Sequence, residues 1–132
     1  MFVFIRFGPR SAPARMAFAA VLWLGLAGPA PAVDPPYQAQ LERLATLMGS
    51  LYFLQPQCGF TAVDWRAEAA DLIAHELPDE DRRARLEGAF NEGHDGFARL
   101  YGRCTASARL AMQRFLIEGE RIARDIHSRF AE

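Results

Sequence analysis

A chain of 132 residues with 15 arginines, no lysine and 16 acidic residues has room for one modest core and not for two. Nucleic-acid binders concentrate positive charge on one face or tail, and this chain carries a formal net charge of -1 with no basic block, so a phosphate backbone is excluded as the partner its composition fits. Exclusive use of arginine reads as genome composition rather than recognition of anions.

The first 32 residues differ from the rest. Arg6, Arg10 and Arg15 precede the apolar run MAFAAVLWLGLAG (Met16 to Gly28), and Ala30-Pro31-Ala32 follows. Basic, apolar and small, in that order, is the pattern of a secretory signal peptide. The apolar run ends at Gly28 and Pro29, short of the roughly 20 residues that span a bilayer, so no stable membrane span is expected once the leader is removed. Cleavage is expected after Ala32, because a cut after Ala30 would leave Pro31 beyond the scissile bond. With no cysteine beside the cut and no twin arginine, the expectation is general export of an unlipidated chain to the periplasm. Residues 1–32 are then signal peptide and residues 33–132 a single helical domain, with 12 basic against 16 acidic residues.

Pro35 and Pro36 bias the start of that domain toward extended backbone. From Tyr37 onward, Tyr37, Leu41, Leu44, Met48, Leu51 and Tyr52 recur at spacings of three and four, which predicts a first helix that breaks across Leu54 to Gly59 (LQPQCG). Thr61 is expected to open a second helix, with Asp64 three residues on as a capping-box variant and Trp65, Ala69, Leu72 and Ile73 facing inward. Glu76 falls on the same face near the end of that helix. Pro78 and the acidic run Asp79 to Asp81 restart the chain as a third helix reaching about Gly102. Thr105 caps a fourth, with Ala108, Met112, Phe115, Ile122, Ile126 and Phe130 in one stripe. No segment alternates with period two. The predicted fold is all-α, a small up-down-up-down antiparallel bundle of about four helices.

Cys58 and Cys104 are the only two cysteines. In an oxidising compartment an even count reads as one disulfide, and in this topology the loops that carry them lie at the same end of the bundle. No Cys-x-x-Cys, Cys-x-x-Cys-His or His-Glu-x-x-His is present, so neither a metal nor a cofactor is expected.

The stretch GAFNEGHDGFARLYGRC (Gly88 to Cys104) carries four glycines in a helical context. At about 100 degrees per residue, Leu86, Phe90, Gly93, Phe97, Leu100, Tyr101 and Cys104 share a face, whereas Gly88, Gly96 and Gly102 fall elsewhere. Gly119 lies similarly in the apolar stripe of the fourth helix. An interior glycine costs roughly 0.8 to 1 kcal/mol against alanine, so a glycine in a buried stripe predicts that another backbone or a large ring comes close. Asn91, His94 and Glu118 flank these stripes at similar heights and, with Glu76, form a candidate polar cluster. The expected role of these groups is structural, since buried polar groups satisfy one another.

The succession LMGSLYFLQPQCG, DWR, IAHEL, AFNEGHDGFARLYGRCT and LIEGERIA, from about Leu41 to Ile126, resembles a family of short exported alphaproteobacterial proteins known only as a domain of unknown function. The resemblance implies recurring roles for Cys58, Trp65, Glu76, Phe90, Asn91, Gly93, Tyr101, Cys104, Glu118 and Gly119, and it implies no activity. Where the family often has Tyr after its FN-x-G motif this chain has His94, which speaks against an essential chemical task for that imidazole.

Function is therefore read as a non-catalytic binding or envelope-associated module whose partner is a protein or envelope component. Two alternatives remain: a metal- or haem-binding bundle, with Met48 and His127 as imaginable axial ligands, and a small enzyme using Glu76 or Glu118 as an acid/base group raised in pKa by burial.

Overall fold

Helices begin where a short polar side chain can take the N–H groups that the first turn leaves without partners. In the computed structural model, which describes residues 33–131, this happens three times. Asp64 accepts from the N–H groups of Arg66 and Ala67, both at 3.1 Å, and opens the second helix three residues later than the expected start at Thr61. Asp79 accepts from Arg82 N–H at 2.8 Å. Thr105 accepts from Ala108 N–H at 3.0 Å, as expected. The elements are α1 (Gln38–Gln57), α2 (Trp65–His75), α3 (Glu80–Ala98) and α4 (Ala106–Phe130). No strand occurs among the described residues. The expected signal peptide, residues 1–32, lies outside them.

Two helix ends differ from expectation. α1 runs through Pro56 to Gln57 rather than breaking at Leu54, because a proline in the last turn forgoes a single backbone bond. The chain then reverses through Gly59 at φ +80°, with Phe60 N–H returning to the Gln55 carbonyl at 2.9 Å. α3 stops at Ala98 instead of about Gly102. Leu100 and Tyr101 both donate to the Phe97 carbonyl, Tyr101 stacks on the Phe97 ring, and Leu100, expected in the core line, is 74% exposed. This early stop turns the chain toward Cys104, which is bonded to Cys58 with the Cα atoms 4.9 Å apart.

The directions of packing follow from pairs of residues. α3 runs parallel to α1, since Arg82 meets Gln38 at one end and Gly93 meets Ser50 further along. α2 and α4 run antiparallel to α1: Trp65 Nε1 donates to Gln55 Oε1 at 2.7 Å, and Arg43 pairs with Glu118. Up-down-up-down order therefore holds. A square bundle would set α1 and α3 on a diagonal, yet these two make the most extensive helix contact, with α2 against both and α4 resting on α1. α3 meets α4 through side chains, among them Phe97 and Phe115 edge-on at 5.2 Å.

Two glycines permit that short diagonal. A Cβ at Gly93 would collide with the carbonyl of Thr46, and one at Gly49 with the carbonyl of Phe90. Ser50 Oγ donates to Thr46 O at 2.9 Å and lies 3.3 Å from Gly93 O, lining the same seam. Gly119, expected to mark a second close approach, does not: a Cβ there would make ordinary contacts with Leu44 and Leu47 at 3.5 and 3.8 Å. Gly88, Gly96 and Gly102 face open space, in keeping with their positions off the core line.

Three layers fill the interior. Leu51, Leu54, Ala108 and Met112 pack beneath the disulfide. Ala45, Ala69 and Phe90 fill the middle, and Leu41, Ile73 and Leu86 close the far end. There, Arg85 on α3 grips Asp34 through both terminal nitrogens at 2.8 and 2.7 Å, fastening the segment ahead of α1 to the bundle.

Candidate binding groove

The four candidate polar residues go to separate places. Glu76 caps the C-terminus of α2, and its carboxylate accepts from Arg82 Nη2 at 3.0 Å. Arg82, only 8% exposed, also donates from Nε to Gln38 Oε1 at 2.7 Å, so one guanidinium ties α2, α3 and α1 together. A buried cation needs such partners, and this one has them. Glu118 takes both oxygens to Arg43, at 2.7 and 2.9 Å, joining α4 to α1. His94 places Nδ1 2.9 Å from Asp95 Oδ1 and lays its ring against Tyr52 and edge-on to Phe53. Asn91 is exposed on α3. Similar height along the bundle does not bring Glu118 to Asn91, because α4 sits on α1 and leaves the α3 backbone untouched.

These placements bear on the alternatives. A general acid at neutral pH needs a carboxyl pushed upward, whereas the Arg43 guanidinium hydrogen-bonded to Glu118 holds its carboxyl below the ordinary value, the reverse of what burial alone would do. Among the described residues, no group of three or more His, Cys, Asp or Glu side chains is gathered as a metal site. Met48 packs in the middle layer beside Ala45 and Phe90, while His127 borders the far-end surface beside Phe130 and Tyr37. The two do not face each other across a common pocket.

What the helices do build is a groove of about 290 Å3 between α2 and α3. Ala69 and Ala70 form its α2 wall, and their small side chains leave the space open. Arg66 stands at one end, with its guanidinium carbon 5.0 Å from the Tyr52 ring centroid and 5.7 Å from that of Phe90. Stacking on two rings holds the cation in place and leaves the edge of the guanidinium, where its donors lie, for a planar acceptor. Across from it, Arg83, Glu87 and Asn91 follow one another at single turns of α3. Among the described residues neither Arg66 nor Arg83 forms an ion pair, in contrast to Arg43, Arg82, Arg85 and Arg124. The N-terminal N–H groups of α2 are already taken by Asp64, so the positive end of the groove is made by side chains.

Chemically, the groove offers two guanidinium groups, an amide and an apolar wall, with Glu87 as its one carboxylate. That set suits holding a small anion with an apolar body. A paired acid and base is missing from its lining. Of the expected residues only Asn91 contributes; Arg66, Arg83 and Glu87 were not singled out from the sequence. A signal was present: Arg66, Ala69, Ala70 and Ile73 stand at i, i+3, i+4 and i+7, and Arg83, Glu87, Phe90 and Asn91 stand at i, i+4, i+7 and i+8, so each set shares one helix face.

No curated protein and no solved structure matches the chain. One family model does, over residues 36–130, which takes in all four helices and both cysteines. The chain belongs to the family described as protein of unknown function (DUF2385).

Proposed function

We propose that this protein is exported, cut after Ala32, and works in the periplasm as a non-catalytic binding module that holds an anionic group of a protein or envelope component in the groove between α2 and α3. Two features support export: the basic, apolar and small succession of residues 1–32, and a disulfide that fits an oxidising compartment. The observation that carries the binding reading is Arg66, stacked on two rings at the groove mouth with no carboxylate partner among the described residues.

Native mass spectrometry of protein purified from the exporting cell tests both parts. The polypeptide mass is expected to begin at Val33, and a small acidic adduct is expected on the wild type and not on a folded Arg66→Ala variant. A mass retaining residues 1–32 would remove the export reading. An adduct that survives Arg66→Ala, or none on the wild type, would remove the groove.

A further inference from the structure

The side of α4 that faces away from α1 is a second surface, separate from the groove. α4 lies along α1, with Phe115 and Ile126 reaching the rest of the core, and its opposite side has no helix against it. A helix so placed is ordinarily polar on its outer side. Here Leu110 is 47% exposed, Leu116 42% and Ile117 67%, and Phe60, at 55%, extends the patch from the neighbouring loop. Phe60 and Leu116 border one small cavity with Arg109, so these side chains are contiguous. At about 100 degrees per residue, Leu110, Arg114, Ile117 and Arg121 run along a single ridge.

Positive charge predominates on this side of α4. Of the acids of α4, Glu118 is engaged with Arg43 and Glu120 with Arg124, while Asp125, half-buried one turn beyond Arg121, forms no ion pair among the described residues. Among the described residues Arg109, Arg114 and Arg121 form no ion pair, and all three are exposed. The ridge is therefore cationic on a domain whose acidic residues outnumber its basic ones.

We infer that the outer ridge of α4 docks on the anionic headgroup surface of a phospholipid bilayer, lying flat on it. Leu110 and Ile117 would enter the boundary between headgroups and acyl chains, with Arg114 and Arg121 on lipid phosphates and Phe60, Leu116 and Arg109 along the flank of the contact. Charge complementarity selects an anionic partner. The alternation selects a bilayer over an acidic protein: a protein interface separates into an apolar centre and a polar rim, whereas here cation and hydrocarbon alternate at successive turns. A bilayer interface accepts that pattern, because an arginine buries its stem beside the acyl chains while its head stays among the phosphates. Arg66 and Arg83 take no part, so docking and ligand binding stand or fall separately.

The test is co-sedimentation of the full oxidised protein with vesicles of phosphatidylcholine alone and of phosphatidylcholine mixed with phosphatidylglycerol. Binding is expected on the mixed vesicles only, and it should weaken as salt is raised. Arg114→Gln and Arg121→Gln should each lower the partition coefficient roughly five-fold. Ile117→Gln should lower it with the salt dependence unchanged, and Arg66→Ala should leave it alone. All four sites are surface-exposed or lie outside the helix contacts of α4, and melts of each variant verify that the fold is kept. No binding to mixed vesicles, equal binding to both kinds, or binding indifferent to Arg114 and Arg121 would each overturn the inference; the first is also the result expected if an acidic protein covers the ridge.

Discussion

Replacing Gly93 by alanine adds one methyl group to the seam between α1 and α3. Its Cβ would lie 2.8 Å from the Thr46 carbonyl carbon, closer still to the oxygen, and 3.0 Å from Ser50 Oγ. The obstacle is helix backbone, which cannot rotate aside, so the two helices must part by on the order of 1 Å to restore ordinary contact. Overpacking by a single carbon costs typically 1–3 kcal/mol, and a backbone obstacle puts this case near about 3. Alanine returns about 1 kcal/mol through helix propensity, leaving a net loss of about 2 kcal/mol. Gly96→Ala is the internal control, because that position lies on the same helix with nothing within 4 Å. It should be neutral or stabilised by up to about 1 kcal/mol. Urea unfolding with the disulfide intact reads the difference as a shift in midpoint at unchanged slope. Gly49→Ala should match Gly93→Ala, and the double variant should lose less than the two singles together, since helices already parted by one methyl admit the second more cheaply. Equal midpoints for Gly93→Ala and Gly96→Ala would refute the seam.

Three further outcomes are expected. Cys58→Ser with Cys104→Ser opens a loop of sequence separation 46, for which chain entropy predicts a loss of about 4 kcal/mol in thermal or urea unfolding. Glu118→Gln should cost about 0.5 kcal/mol near neutral pH, as a part-exposed ion pair does. Because Arg43 lowers the folded carboxyl below its unfolded value, that contribution is complete above the ordinary carboxylate pKa and is lost as pH falls through the folded one, so wild type and variant should converge only at pH below the ordinary carboxylate range. Glu76→Gln leaves the buried Arg82 with Gln38 and no countercharge, and should destabilise by roughly 3 kcal/mol in the same assay.

Local chemistry was the legible part of the sequence. Asp79 and Thr105 were readable as helix starts because a cap bonds within three residues of itself. The second helix was expected to open at Thr61 with Asp64 as its capping-box partner; Asp64 is itself the cap, because its carboxylate takes two N–H groups at once. Gly93 was readable because it interrupts a run of large residues on one face. Its counterpart Gly49 was not, because it lies off the Leu44, Met48 and Leu51 line and beside Ser50, and only the close pairing of α1 with α3 gives it a purpose. Periodicity gives height and face on one helix, and nothing about which neighbour that face meets. Glu118 therefore read as a companion of Asn91, when its partner Arg43 lies 75 residues away on a different helix. The groove was hidden for the same reason: Arg66 gains its place from Tyr52 and Phe90, two residues on two other helices.

An anion site marked by Arg66 and Asn91 can be watched filling through the arginine Nε–Hε and asparagine side-chain signals in a 1H–15N spectrum as benzoate is added. Saturable shifts are expected at Arg66 and Asn91 with a common midpoint, while Arg43, already held by Glu118, stays fixed. Shifts that grow linearly and alike at every exposed arginine, or none at Arg66, would contradict it.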